Sequence, residues 1–332
     1  MRSVLNKLLT GEDLSFEEAH ETMSGIMSGS HGDAEIGGFL MALAVKGETA
    51  EEIAGFASAM REKMVQVPIT VEAIDMCGTG GDGKGTFNIS TAASFVAAGA
   101  GVPVAKHGNR SISSKSGSAD VLGELGVDIQ MGPEKVAKCI DDIGIGFLFA
   151  PSFHPAMRHV MPARRALGVR TVFNILGPLC NPARVRRQII GLFTGELTEK
   201  MGEVLQLLGA DSAMLVHGHD GIDEITSTGG TKISVVNGDR TIESMDFTPT
   251  DVGYQLATLE DIKGGTPAEN ADIMLQIFDG EKNPYRDVVI LNAAAGIIVG
   301  GMAADFPEAI DIAEESIDSG TAKQVLDNLA KA

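Results

Sequence analysis

The sequence predicts an α/β protein in two parts: a small all-helical domain over residues 1–66, then a larger α/β domain over 67–332 with a mostly parallel central sheet. Three observations carry this reading. Residues 1–65 place apolar side chains at helical spacing behind helix-start signals. After Val67-Pro68, short apolar strands alternate with helices, an order that implies parallel strands covered by helices on both faces. A chain of 332 residues is also too long for one ordinary domain and fits about two.

The elements follow in order. Ser15-x-x-Glu18 is a capping box, and Phe16, Ala19, Met23, Ile26 and Met27 then follow one helical face. Asp33 is placed to cap a helix carrying Ile36, Phe39, Leu40 and Leu43. A second box, Thr49-x-x-Glu52, precedes Ile53, Phe56, Met60 and Met64. Strands are expected at Ala73–Cys77, Val102–Ala105, Gly146–Ala150 and Ala213–His217. Helices are expected near Ser90–Ala100, from about Ser118, at Val288–Val299, and as an amphipathic segment at the C-terminus. The stretch 155–190 has a helical pattern. Packed back on the N-terminal helices, it would make the first domain discontinuous.

Composition narrows the function. Net charge is −19, which argues against non-specific binding to nucleic acid or to an anionic membrane. No apolar run reaches the roughly 18 residues that a membrane span needs. The N-terminus turns acidic before a signal-peptide core could form. Cys77, Cys139 and Cys180 contain no C-x-x-C pair, so a reduced, cytoplasmic setting is expected. The acids are unevenly spread. None falls between Gly83 and Ala119 or between Ile143 and Gly195, and the second window holds seven arginines: Arg158, Arg164, Arg165, Arg170, Arg184, Arg186 and Arg187. Burial would explain the missing acids but not the arginines, so an anionic ligand is expected there.

Four segments carry chemistry. Gly78-Thr79-Gly80-Gly81-Asp82 follows a strand, and Thr86 to Thr91 opens a helix, which together suit a diphosphate cradle. The segment lacks both the P-loop ending and G-x-G-x-x-G spacing. Lys106 to Ser118 holds three cations, five serines and no acid, a dense donor set for phosphate oxygens. Both loops would meet at the carboxyl ends of parallel strands. His217 to Glu224 ends another strand, and its paired Asp223-Glu224 suits a hard cation such as Mg²⁺. His217 and His219 lack a third soft ligand for zinc, and a solvated acidic turn is the competing reading. Finally, Pro151 to Arg170 offers His154 and a helix-borne arginine suited to clamp a carboxylate.

Taken together these segments resemble the anthranilate phosphoribosyltransferase family. The likeness runs over nearly the whole chain: GTGGD at 78–82, NIST at 88–91, KHGNRS at 106–111, HPAMRHVMPARR at 154–165, LGVRTVFNILGPLCNPA at 167–183 and DGIDE at 220–224. Cys180 and Phe153 depart from its common pattern. The resemblance implies a nucleoside phosphorylase/phosphoribosyltransferase-like fold with the active site at the hinge between domains, and a homodimer joined through the helical domains. It implies transfer of the phosphoribosyl group of phosphoribosyl pyrophosphate to the amino nitrogen of anthranilate, with Mg²⁺, in tryptophan biosynthesis. By the same resemblance, Gly78, Gly81, Asp82, Thr86, Asn88, Ile89, Ser90, Thr91, Lys106, His107, Gly108, Asn109, Arg110, Ser111, Ile112, Ser113, Ser114 and Ser118 hold phosphoribosyl pyrophosphate. Ser90, Asp223 and Glu224 hold Mg²⁺, while Gly78, Asn109, Arg164, His107 and His154 contact anthranilate. Lys106 and Arg164 would supply positioning and charge stabilisation. A pyrimidine nucleoside phosphorylase of the same architecture is the alternative activity, and a non-catalytic binder of an anion is the alternative class.

Overall fold

The computed structural model describes residues 1–111 and 115–332. Four helices open the chain, at Arg2–Leu9, Phe16–Met27, Asp33–Lys46 and Ala50–Lys63. Both predicted capping boxes form, with the Ser15 and Thr49 hydroxyls accepting from the backbone N–H of Glu18 and Glu52. The third helix differs from expectation: Gly32 is its N-cap, Asp33 is its first helical residue, and the Glu35 carboxylate accepts from the Gly32 N–H. The second and fourth helices touch at Gly55, where a Cβ would lie 2.5 Å from the Phe16 carbonyl oxygen.

Seven strands form one sheet: β1 (Ile74–Gly78), β2 (Val104–Gly108), β3 (Ile145–Phe149), β4 (Arg187–Gly191), β5 (Ser212–Gly218), β6 (Thr231–Asn237) and β7 (Glu243–Phe247). Their order is β3-β2-β1-β4-β5-β6-β7, parallel through β5 and antiparallel at the last two. The mostly parallel sheet expected from the alternation is therefore present, with an antiparallel edge that the alternation did not reveal. Helices Ile89–Gly99, Pro284–Val299, Phe306–Asp318 and Thr321–Lys331 build one apolar core with the sheet. Among the described residues, no helix is long and apolar enough to cross a membrane.

The stretch 155–190 is only partly helical. It contains a short 3₁₀ turn at Pro155–His159 and helices at Met161–Leu167 and Phe173–Leu176, then ends in β4. Val160, Ala163, Val172, Phe173, Ile175, Leu176, Leu179 and Cys180 share one core with the four N-terminal helices, and that core runs on through Ile190, Leu192, Ala213 and Leu215 to the sheet. Phe153 and Cys180, where the chain departs from the family pattern, are both fully buried.

Candidate active site

The site lies at the carboxyl ends of β1, β2, β4 and β5, where the loops of a parallel sheet converge. The glycine loop leaves β1 with Gly80, Gly81, Gly83 and Gly85 all at positive φ, a conformation that side chains strongly disfavour. Its far end is pinned by the Gly264 N–H donating to the Gly85 carbonyl at 2.8 Å and the Phe87 N–H to the Ile262 carbonyl at 3.2 Å. Arg170 closes the near side, donating to the Gly81 carbonyl while its guanidinium sits 4.3 Å from the Phe193 ring centroid.

Asp223 and Glu224 reach across to this loop. The Gly80 N–H donates to Asp223 Oδ2 at 2.6 Å, and the Ser90 N–H donates to Glu224 Oε1 at 3.2 Å. A Cβ at Gly78 would stand 2.3 Å from Asp223 Oδ2, so this glycine admits the carboxylate. The segment is not a solvated turn. Ile222 and Ile225 are buried, and Asn292 clamps Ile225 by accepting from its N–H at 3.0 Å and donating to its carbonyl at 2.8 Å. Burial and the facing Asp82 raise the Asp223 carboxyl well above the usual range, and burial and Asp223 raise that of Glu224. Only Lys106 and the Ser90 hydrogen bonds oppose the shift at Glu224. The adjacent carboxylates of Asp223 and Glu224 form an oxygen donor pair that fits a hard divalent cation, with buried Lys106 acting on Glu224. Among the described residues, no three His, Cys, Asp or Glu side chains gather into a metal cage. His217 and His219 stand apart from this cluster: His217 Nδ1 lies 2.7 Å from the Leu192 carbonyl, and His219 pairs with Asp246 at 3.0 Å.

The donors expected from the helix at 89–99 divide into two kinds. Ile89 and Thr91 are buried, so only their backbone can face a ligand, whereas Ser90 is at the cluster. Asn88 occupies the N-cap position, yet its side chain caps nothing. Instead Asn88 Oδ1 accepts from Ser116 Oγ at 3.0 Å and from Asn270 Nδ2 at 2.8 Å. Asn88 Nδ2 donates to the Ser116 carbonyl at 3.3 Å. Thr86 lies on the loop, bridged to Lys263.

On the β2 side, Lys106 is 3% exposed, with Nζ donating to the Met76 carbonyl at 2.6 Å and lying 3.4 Å from Ser90 Oγ. Gly108 is needed because a Cβ there would stand 2.3 Å from Ser118 Oγ. Asn109 and Arg110 are exposed. Arg110 is held by Asp120 at 2.9 Å, and the same carboxylate accepts from the Ser111 and Gly117 N–H groups at 3.0 Å each. Asp120 stands one residue beyond the acid-free window, so a count by windows passed over it. Ile112, Ser113 and Ser114 lie outside the described residues.

His107 and His154 face each other with ring centroids 5.1 Å apart. Both Nε2 atoms are buried without a protein partner among the described residues. Burial, with His154 adding to it, lowers the His107 ring to about 3, and burial lowers that of His154 to about 4, so both are neutral near pH 7. Backbone hydrogen bonds to Gly177 and Cys180 hold them. Arg164 lies in the last turn of the helix Met161–Leu167, half-buried over the Phe173 ring at 5.3 Å, and no carboxylate pairs with it among the described residues.

A helical bundle joined to an α/β domain with phosphate-type loops defines a class. Residues 2–64 match the helical bundle domain of the glycosyl transferase family, and residues 70–323 match its a/b domain. Within that class the chain belongs to the anthranilate phosphoribosyltransferase family. It is 51% identical, over 100% of its length and 96% of the relative's, to anthranilate phosphoribosyltransferase of Acetivibrio thermocellus. The crystal structure of the Thermus thermophilus enzyme superimposes with a TM-score of 0.92 at 44% identity, covering 99% of this chain and 98% of that one. The Saccharomyces cerevisiae enzyme in complex with PRPP and Mg superimposes at 0.91 with 32% identity, covering 99% and 96%.

Proposed function

We propose that this chain transfers the phosphoribosyl group of phosphoribosyl pyrophosphate to the amino group of anthranilate, releasing pyrophosphate, as a step of tryptophan biosynthesis. The observation that carries it is full-length likeness to enzymes of that name together with a site whose glycine loop, buried lysine and paired acids meet at one sheet end. Breaking the C1′–O bond puts positive charge on the ribose and negative charge on the departing diphosphate. The N–H groups of the glycine loop and helix, Lys106 and Arg110 would stabilise that negative charge. Asp223 and Glu224, with Ser90, would hold Mg²⁺, whose contribution when bound is to neutralise diphosphate charge. Anthranilate's aromatic amine is neutral at pH 7, so the protein's task is to hold it in line. Arg164 would take its carboxylate, with Asn109 and the neutral His107 and His154 around the ring.

In this reading residues 1–66, with part of 155–190, form the helical domain, and 67–332 the α/β domain. Two copies would pair through the helical domains, where Leu9, Met41 and Val45 are exposed apolar residues. The compartment would be the cytoplasm.

The direct test is incubation with phosphoribosyl pyrophosphate, Mg²⁺ and anthranilate, following loss of anthranilate fluorescence. Turnover is expected, and it should stop in excess chelator. Turnover that persists there would remove the metal role. Arg164→Ala is expected to raise the KM for anthranilate by about 10- to 100-fold, the loss of a charge-assisted hydrogen bond of roughly 1.5–3 kcal/mol. An unchanged KM would take Arg164 out of the anthranilate site.

A further inference from the structure

β1 pairs with β4 over five positions, Ile74 to Gly78 against Arg187 to Gly191, and β2 pairs with β3 over five more. Between β1 and β2 the pairing stops after one, Ile74 opposite Val104. A regular parallel ladder continued in that register would take the Met76 N–H to the Ala105 carbonyl and the His107 N–H to the Met76 carbonyl. Side chains have taken those places. Asn181 Nδ2 donates to the Ala105 carbonyl at 2.8 Å, Lys106 Nζ to the Met76 carbonyl at 2.6 Å, and the His107 N–H to Asp75 Oδ1 at 3.0 Å.

Asp75 is the centre of this substitution. It lies mid-strand in a parallel sheet and is 0% exposed, a position where an acid is costly. All its neighbours donate: the His107 N–H to Oδ1, and Asn181 Nδ2 at 2.8 Å and the Cys77 thiol at 3.5 Å to Oδ2. A carboxylate ringed by donors is required to accept on both oxygens, and buried Lys106 supplies the compensating charge. Asn181 is itself fixed, since its Oδ1 accepts from the Ala183 N–H at 2.8 Å. Asn181 belongs to the same short stretch whose Gly177 and Cys180 backbone groups hold His107 and His154.

A plain ladder would satisfy the same backbone groups without burying an ion. The arrangement instead ties the two adjacent strands through side chains just below the loops that both release at their carboxyl ends. We propose that Asp75 and Asn181 are positioning residues: they form a side-chain wedge that replaces the backbone ladder of the β1–β2 seam and thereby set Lys106 and His107 against the phosphate loops. This rests on the transferase reading for its kinetic consequence, but the wedge itself is independent of it.

The test uses the full chain with two substitutions, Asp75→Asn and Asn181→Ala. Asp75→Asn keeps the volume but places an NH₂ group among donors. Asn181→Ala removes only the hydrogen bonds to Asp75, Ala105 and Ala183, and it decides the matter if the first variant fails to fold. In folded variants the KM for phosphoribosyl pyrophosphate should rise about tenfold or more with a fall in kcat, because small misplacement of positioning groups is costly. The KM for anthranilate should rise with it, because His107, which faces His154, borders the anthranilate ring in that reading. Amide hydrogen exchange at His107 should accelerate while the rest of the sheet keeps its protection. A folded variant with the parent's KM for phosphoribosyl pyrophosphate, or with His107 exchange unchanged, overturns the proposal. A parent protein without transferase activity would instead sink the functional reading, leaving the exchange measurement to decide the wedge.

Discussion

Replacing Asp223 with Asn and Glu224 with Gln together should cut turnover by about 100-fold or more, because the divalent ion contributes several kcal/mol of charge stabilisation in such reactions. The amides keep the size of both groups and can still accept from the Gly80 and Ser90 N–H groups, so the effect isolates charge. The same variant should not lose stability in the absence of metal. In the parent, Asp223 is pushed up to about 6 and Glu224 to about 8, above the roughly 4 of an unfolded carboxyl. The folded chain therefore holds more protons than the unfolded one between those limits, and stability falls as pH rises through about 4 to 8. The double variant should flatten that fall and melt at or above the parent's temperature near pH 8 without metal. Added Mg²⁺ should raise the parent's Tm and leave the variant's unmoved. A Tm drop in the variant at every pH would make the pair structural. An unchanged Mg²⁺ titration of the rate would take both residues out of metal binding.

The second large effect is expected at a residue with no chemistry of its own. Gly191→Ala would put a Cβ 1.6 Å from the Asp223 carbonyl oxygen. The segment it strikes has little freedom to retreat, since Asn292 grips Ile225 through both backbone groups. Overpacking against backbone costs about 3 kcal/mol where neighbours cannot yield. The urea midpoint should fall accordingly at constant slope, and turnover should fall with it because Asp223 is displaced from the Gly80 N–H. A midpoint equal to the parent's would show that the 222–225 segment is free to shift.

What was legible in the sequence was local. Ser15-x-x-Glu18 and Thr49-x-x-Glu52 announce helix starts because cap and partner are three residues apart. The loops at 78–82 and 106–118 were visible because glycine, serine and cation density is itself a ligand-binding signal. β4 was hidden because Arg186 and Arg187 precede a short apolar run that continues a helix-like pattern, and β7 because its Glu243–Phe247 sequence is mostly polar and exposed. Asp75 carries no local signal beyond being an acid within the strand expected at 73–77. Its meaning depends on Asn181, 106 residues away, and no spacing rule spans such a distance. The solvated-turn alternative at 220–224 stayed open for the same reason: what clamps Ile225 is a helix residue 67 positions later.

Asn88 joins three separate stretches of chain, the opening of helix 89–99, the end of the basic loop at Ser116, and helix Pro267–Phe278 through Asn270. The Gly265 N–H closes the knot by donating to Asn270 Oδ1 at 2.7 Å, next to the residues that pin the glycine loop. The two loops are consequently joined through one set of hydrogen bonds. An anion that orders the loop at 78–86 lowers the ordering cost for whatever the loop at 106–118 must hold, and the benefit is the same in the reverse direction. A change confined to helix 267–278, which reaches the loops through Asn270, would then register as a loss of cooperativity between the two loops before it registered as a loss of fold.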